Sequence, residues 1–177
     1  MSMLRPLGLA RLALQLFVVF SVAVIAVPVH ASDLSSPEER VILTVTGAIA
    51  QKNTEEAAVF DLAMLEALGG VSLKTETRWT EGLQEFEGVN IQALLEHLGA
   101  TGNAVRAIAI NDYAVTIPMA DITSYNVIIA YRRNGKPMRV RDKGPLWIIY
   151  PWGDTPEVRS KKYYDRSIWQ LKGLEVK

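Results

Sequence analysis

The densest group of side chains that could do chemistry is a set of six basic residues within 12 positions. They are Arg132, Arg133, Lys136, Arg139, Arg141 and Lys143. Such a block can hold an anion through charge, and arginine adds bidentate hydrogen bonds to a carboxylate or phosphate. The same residues could instead form a solvated hairpin whose basic side chains face the acidic segment Glu81–Glu87. The pattern therefore predicts either an anion-binding site or a charge-complementary surface.

Charge is segregated along the whole chain. Between Ser32 and Ala130 there are 5 basic and 14 acidic residues, a net charge of −9. Between Tyr131 and Lys177 there are 12 basic and 5 acidic residues, a net charge of +7. The full chain has a formal net charge of zero, whereas a nucleic-acid-binding protein is normally strongly basic. We therefore expect no nucleic-acid partner, and an anionic small molecule suits the basic half better.

The residue types that are missing limit the chemistry further. There is no cysteine, which excludes thiolate nucleophiles, redox dithiols, cysteine zinc sites and iron–sulfur clusters. Of the two histidines, only His97 lies outside the N-terminal segment, so a multi-histidine metal site is excluded. His97 lies near a predicted helix end closed by Gly99, where a cation interacts favourably with the helix dipole. No acid–base pair stands out, and we predict no catalytic residue.

The N-terminal segment Met1–Ala31 has the three parts of an export signal. Arg5 and Arg11 supply a positive start, Leu12–Val27 is almost wholly apolar, and Val29–Ala31 has the small–x–small pattern that signal peptidase accepts. The apolar run is short for a membrane span, and nothing later could serve as a second one. We predict a cleaved signal peptide, a periplasmic protein and no membrane span in the mature form.

The remaining residues predict a short leader, 32–40, and one domain, 41–177. The leader is polar and predicted to be flexible. Seven segments have the β-branched or alternating pattern of strands: Val41–Gly47, Val71–Thr77, Ala104–Ile110, Tyr113–Ile117, Val127–Tyr131, Leu146–Tyr150 and Ser167–Val176. Two segments have helical spacing behind a good N-cap, Asp61 in Phe60–Leu68 and Asn90 in Asn90–Leu98. This order predicts an α+β fold, a single domain built on a mixed β-sheet with few helices.

Two segments are predicted to be loops, Trp79–Gly88 and Trp152–Lys162. Trp79 and Trp152 lie in them, where an aromatic side chain often serves recognition. Trp147 and Trp169 lie in predicted strands, and the area that a buried tryptophan removes from water favours a place in the core. A turn between two strands is predicted at Asn134-Gly135, the dipeptide typical of a tight hairpin.

Six segments follow one another in the order of a known family's motifs. They are Phe60–Leu65, Phe86–Leu95, Asn111–Tyr113, Val127–Met138 with its AY and NGKPM, Gly144–Pro151 (GPLWIIYP) and Arg166–Leu171 (RSIWQL). Together they resemble the oxidoreductase molybdopterin-binding domain, the fold of sulfite oxidases and periplasmic methionine-sulfoxide reductases. The resemblance covers most of the chain from Val41 to Val176 and implies a small, exported, stand-alone version of that domain.

The chain differs from the family at the position of the residue that ligates the metal. Catalytic members hold molybdenum through one cysteine on the strand after the first helix, and here Thr75 or Thr77 fills that place. A threonine hydroxyl is a poor ligand at a position where a soft thiolate normally binds. The family's cofactor-contacting histidines have no counterpart in this chain. The fold can therefore be inherited without the oxo-transfer chemistry, because function depends on the site.

The resemblance also implies which residues would approach a cofactor. The candidates are Arg78, Thr75, Thr77, Arg141, Lys143, Arg166 and Ser167. For Arg78 the alternative is an ion pair with Glu81 or Glu76. For Arg141 and Lys143 the alternative is a solvated turn.

Three functions follow as hypotheses. The first is an exported protein that binds a pterin cofactor or another anionic small molecule, or a periplasmic partner protein, without cysteine-ligated molybdenum. The second is an active molybdopterin-dependent oxidoreductase, in which the dithiolene sulfurs of the cofactor supply the soft ligands and Thr75, Thr77 or water completes the shell. The third is a non-catalytic protein-interaction domain. The predicted cofactor is molybdopterin, either metal-free or with unusual ligation.

Overall fold

The computed structural model describes residues 34–177. The predicted signal peptide, 1–31, and the first two residues of the leader lie outside the described residues. Four helices are present in the described part: α1 (Leu62–Ala67), α2 (Ile91–His97), α3 (Met119–Ser124) and α4 (Lys161–Arg166). The strands are β1 (Leu43–Gly47), β2 (Ala58–Phe60), β3 (Gly70–Glu76), β4 (Leu83–Asn90), β5 (Ala104–Ala109), β6 (Ala114–Pro118), β7 (Ile128–Arg133), β8 (Lys136–Pro137), β9 (Trp147–Ile149) and β10 (Leu171–Val176).

The strands form two sheets. The first has the order β2-β1-β10-β5-β6, and it is mixed because β1 and β10 run parallel while the other neighbours are antiparallel. The second has the order β3-β4-β7-β8, with β9 paired to β7, and all of its pairs are antiparallel. The predicted α+β fold with mixed β structure and few helices is thus confirmed, and the β structure is divided between two sheets.

Local sequence signals place several of these elements. Asp61 Oδ1 accepts a hydrogen bond from Met64 N at 2.9 Å, and Asn90 Oδ1 accepts one from Ala93 N at 3.1 Å, so both predicted N-caps begin helices. Asn134 and Gly135 have φ of 50° and 70° in the turn from β7 to β8. Both values fit the tight hairpin that the Asn-Gly dipeptide predicts.

One loop prediction is wrong, and a second holds for most of its segment. The segment Trp79–Gly88 was expected to be a loop, but β4 begins at Leu83 and pairs with both β3 and β7. Its many acidic residues hid the strand, although Phe86 is fully buried. The segment Trp152–Lys162 is a loop with one 3₁₀ turn, Pro156–Val158, as far as Ser160, and α4 begins at Lys161, which the mixed polar sequence did not predict.

The leader contacts the start of α1. The backbone N–H groups of Glu38 and Glu39 donate to Asp61 Oδ2 at 2.9 and 3.0 Å. The N-cap carboxylate of α1 therefore accepts hydrogen bonds from two chain segments. These hydrogen bonds hold the pKa of Asp61 below its ordinary value, with the one from Met64 contributing most.

Candidate aromatic cavity

A cavity of about 360 Å³ opens where the β3–β4 connection, the β5–β6 turn, α4 and the segment between α4 and β10 meet. Its volume is in the range of small-molecule sites. The residues around it are Arg78, Trp79, Ala109, Asn111, Tyr113, Tyr164, Asp165, Ser167, Ile168, Trp169 and Gln170. We call this the aromatic cavity, because four of these side chains are large aromatic groups.

Trp79 is the centre of an aromatic cluster behind and beside the cavity. Its ring centroid lies 5.3 Å from that of Trp169, 5.8 Å from Trp147, 5.9 Å from Trp152 and 6.0 Å from Tyr164. All four pairs are edge-on, the geometry that aromatic quadrupoles favour. Several partners thus fix the orientation of Trp79.

A threonine turn holds the segment that carries Trp79. Thr77 Oγ1 accepts a hydrogen bond from Trp79 N at 3.1 Å and shares a second one with Thr80 Oγ1 at 2.8 Å. A hydroxyl that bonds the backbone two residues onward is typical of such turns. Thr77, one of the predicted cofactor-binding residues, therefore shapes the connection from β3 to β4 and lines a neighbouring cavity of about 510 Å³.

Opposite charges line the aromatic cavity. The guanidinium carbon of Arg78 lies 4.9 Å from the ring centroid of Tyr164, a cation–π distance. Within residues 34–177 Arg78 has no ion pair, so the predicted alternative of a bridge to Glu81 or Glu76 is not formed. Asp165, the other charged residue of the lining, is on α4.

Lys143 packs against two aromatic rings next to this site. Its ammonium lies 4.5 Å from the ring centroid of Trp169 and 5.8 Å from that of Trp147. Lys143 has a left-handed backbone, φ 75°, where the short turn Val140–Asp142 ends. Lys143, one of the predicted basic residues, therefore packs its ammonium group against Trp169, an aromatic residue of the cavity.

Thr75 is one of the two residues, with Thr77, at which the family resemblance puts the molybdenum-ligating cysteine. The residue is fully buried, and its hydroxyl accepts a hydrogen bond from Gly153 N at 2.8 Å and donates to Glu76 O at 3.2 Å. Thr75 is not among the residues around the aromatic cavity. In the part of the chain that the structure describes, no three His, Asp or Glu side chains are grouped to hold a metal ion. The donors present do not fit cysteine-type molybdenum ligation.

Arg166 is engaged in a buried polar network. Its guanidinium donates to Asp121 Oδ2, the same oxygen that accepts from Tyr150 OH at 3.1 Å. Burial and the neighbouring Asp121 carboxylate raise the pKa of Tyr150. Arg166 therefore joins α4 to α3, and it is not among the residues around the aromatic cavity.

Ser167 has a structural hydrogen bond and a place in the cavity. Its hydroxyl donates to Tyr163 O at 2.9 Å, and its carbonyl accepts from Trp147 Nε1 at 3.2 Å. The residue is 1% exposed. Ser167 lines the cavity with its polar groups already paired, so it helps to shape the wall.

The basic hairpin forms a separate surface. Arg132 pairs with Glu66 at 2.5 Å and approaches Glu87 at 3.9 Å, so part of the hairpin faces acidic residues of α1 and β4. Arg139 Nε donates to Asp142 Oδ2 at 2.7 Å, which lowers the pKa of Asp142. Arg141 lies in the 3₁₀ turn beside this pair and is not among the residues around the aromatic cavity.

The structure thus brings together some of the predicted site residues. Arg78 and Ser167 line the aromatic cavity and Lys143 packs on its wall, whereas Thr75, Thr77, Arg141 and Arg166 lie elsewhere. Sequence reasoning missed Tyr164 and Asp165 because it predicted no helix at Lys161–Arg166.

The burial of two tryptophans is the reverse of what the sequence predicts. Trp152, expected in an exposed loop, is buried at 3% exposure, and its indole N–H has no hydrogen-bond partner among residues 34–177. Trp169, expected in the core, is 36% exposed and lines the aromatic cavity. Trp147 is fully buried as predicted.

The fold and the cavity define an α+β domain whose aromatic cavity adjoins the strand that carries Thr75. The chain belongs to the oxidoreductase molybdopterin binding domain family, whose model matches residues 41–164. It is similar in fold to the sulfane dehydrogenase SoxCD from Paracoccus pantotrophus, with 17% identity and a TM-score of 0.55. That match covers 76% of this chain but only 37% of the other. A comparison with curated protein sequences gave no significant match.

The helices of the described part can be compared with what a membrane span requires. None of the helices between residues 34 and 177 is long and apolar enough to cross a bilayer.

Proposed function

We propose that this protein is an exported, periplasmic binding protein that holds a pterin in the aromatic cavity without cysteine-ligated molybdenum and without catalysing oxo transfer. The observation that carries the proposal is the cavity itself. The aromatic side chains of Trp79, Tyr164 and Trp169 line it, with Arg78 and Asp165 as charged groups. Flat heteroaromatic rings stack on such faces, and a few polar groups fix their orientation.

The chemistry of the metal position supports binding over catalysis. Catalysis by this family needs a soft donor to the metal, whereas Thr75 offers a hydroxyl that already bonds Gly153 N and Glu76 O. Arg166, the basic residue of the RSIWQL motif, is committed to Asp121. Both residues stabilise the scaffold, and the groups free to meet a ligand lie around the aromatic rings.

The test is to purify the protein from the periplasm of a molybdenum-replete host. Molybdenum is measured by mass spectrometry, and released pterin is measured by its fluorescence after oxidation and denaturation. We expect pterin without molybdenum, or a protein that binds added pterin stoichiometrically in calorimetry. Molybdenum and pterin near one per chain would contradict the proposal and favour the active oxidoreductase.

A matched variant makes the test specific to the cavity. Trp169→Ala removes one wall, whereas Leu83→Ala shortens another exposed apolar side chain that is not among the residues around the cavity. We expect only the first variant to lose pterin. If neither the wild type nor either variant binds any pterin, the protein-interaction alternative becomes the better account, and a periplasmic partner is the next ligand to seek.

A further inference from the structure

Two side chains of opposite charge line the aromatic cavity without forming an ion pair with each other. Arg78 and Asp165 both line it, yet no ion pair joins them within the described residues. A ligand edge that is a donor at one end and an acceptor at the other complements these two charged groups of the lining.

Asp165 has a carboxylate oxygen that is available to accept a hydrogen bond from that edge. Its Oδ2 accepts from Lys161 Nζ at 2.5 Å, one helical turn earlier on α4. Its Oδ1 accepts no hydrogen bond from any residue between 34 and 177. The carboxylate is half exposed, and its ion pair with Lys161 is a surface pair of small energetic value. Exchanging part of this contact for ligand N–H groups therefore costs little.

Arg78 is complementary to the other end of such an edge. The guanidinium carbon of Arg78 lies 4.9 Å from the ring centroid of Tyr164, and the guanidinium group has only donors. It can donate to a ring carbonyl, while a carboxylate can accept from an exocyclic amino group and an adjacent ring N–H. A 2-amino-4-oxopyrimidine edge offers both patterns, whereas a 2,4-dioxo edge puts a carbonyl where the amino group would be.

We propose that Asp165 determines the specificity of the aromatic cavity by accepting hydrogen bonds from the 2-amino edge of a 2-amino-4-oxo ring, with Arg78 donating to the 4-oxo group. This inference rests on the proposed binding of a pterin and names the part of the ring that is read. A 2,4-dioxo ring with the same bicyclic shape would stack equally well. It would place a carbonyl against the Asp165 carboxylate in place of the amino group and would leave only the ring N–H as a donor.

The experiment compares pterin with lumazine, its 2,4-dioxo counterpart, by calorimetry on the purified protein. We expect the wild type to bind pterin at least tenfold more tightly than lumazine. We expect Asp165→Asn to weaken pterin binding about tenfold and to bring the two affinities within about threefold of each other, consistent with the typical worth of a bidentate contact. Stacking affects both rings alike, so only the ratio reports on Asp165.

Two controls separate the carboxylate from its ion pair. Lys161→Gln removes the same surface pair but keeps the carboxylate, and we expect it to leave the pterin-to-lumazine ratio unchanged. Asp142→Asn removes another exposed pair, with Arg139, outside the cavity, and should also leave the ratio unchanged. If Lys161→Gln reproduces the effect of Asp165→Asn, the ion pair is responsible and the inference is wrong.

The outcomes distinguish this inference from the proposed function. Equal binding of pterin and lumazine by the wild type would overturn the role of Asp165 while supporting pterin binding. If the wild type binds neither ring, both proposals fail. Guanosine presents the same edge of amino group, ring N–H and carbonyl, which purine numbering calls 2-amino-6-oxo. Guanosine binding that depends on Asp165 would therefore support the recognition of this edge. If guanosine then binds more tightly than pterin, the natural ligand is a purine.

Discussion

Thr75 Oγ1 accepts a hydrogen bond from the backbone N–H of Gly153 at 2.8 Å, although the two residues are 78 positions apart. The contact joins β3 to the segment after β9, next to the buried Trp152. In the catalytic relatives that the sequence resembles, a cysteine is expected at the place of Thr75 or Thr77. Here the side chain at this place has a structural partner inside the protein.

Removing that hydroxyl should destabilise the protein. In Thr75→Val the N–H of Gly153, an exposed residue, loses its buried acceptor, which costs about 0.5–1.5 kcal/mol. Urea unfolding at neutral pH measures the change, and Thr75→Ser, which keeps the hydroxyl, serves as the control. A Thr75→Val protein as stable as the wild type would show that the hydrogen bond contributes nothing.

Trp79 should be the most sensitive aromatic residue for ligand binding. Its edge-on contacts to four other rings hold it at the cavity, and ring stacking on an aromatic side chain is worth about 1–3 kcal/mol. We expect Trp79→Ala to weaken pterin binding about 5- to 100-fold and Trp79→Phe to weaken it less. Calorimetry gives the affinities, and circular dichroism confirms that each variant is folded. Unchanged affinity in Trp79→Ala would place the ligand elsewhere.

Arg78 and Arg166 should differ in what they support. Arg78 makes no ion pair in residues 34–177 and lines the cavity, so Arg78→Met should weaken pterin binding about tenfold with little change in melting temperature. Arg166→Met leaves the buried Asp121 carboxylate without its cation, which should cost about 3 kcal/mol of stability.

The two arginine variants are compared by thermal unfolding and by calorimetry of the folded protein. Adding Asp121→Asn to Arg166→Met should restore part of the lost stability, because no unpaired carboxylate then remains. A large loss of affinity in a stably folded Arg166→Met protein would instead support the family-based expectation that Arg166 contacts the cofactor.

The pH dependence of stability should report on Asp61. Hydrogen bonds from the N–H groups of Met64, Glu39 and Glu38 hold its pKa below the ordinary value of 3.8. The unfolded chain therefore takes up the proton at a higher pH than the folded protein does. The stability that Asp61 contributes is complete above its ordinary pKa, and it is lost as the pH falls through the lowered pKa.

Asp61→Asn tests this assignment, since it removes the titrating group. We expect the wild type to be more stable than the variant at pH 7, with a melting temperature higher by a few degrees, and the difference to shrink in acid. Denaturant unfolding at pH 7 and near pH 3 makes the comparison. A difference that stays constant across this range would mean that the Asp61 carboxylate is not what the pH change affects.

Much of the fold could be predicted because its signals are local. Asp61 and Asn90 cap helices through hydrogen bonds to residues three positions onward. Asn134 and Gly135 form the hairpin turn because both tolerate positive φ. Such interactions are complete within a few residues, so the sequence alone specifies them. The motif order also sufficed to predict the family and the α+β fold.

The site depended on contacts between distant segments. Whether Trp152 or Trp169 faces the cavity, and whether Arg166 meets a ligand or Asp121, follows from which chain segments pack together. The number of strands and the place of β4 likewise depended on pairing with β3 and β7, which overrides local polarity. Residue types and local spacing determined the chemistry available, namely no thiolate and many basic groups. Only the tertiary structure decided which of these groups are used for the scaffold and which remain free at the aromatic cavity.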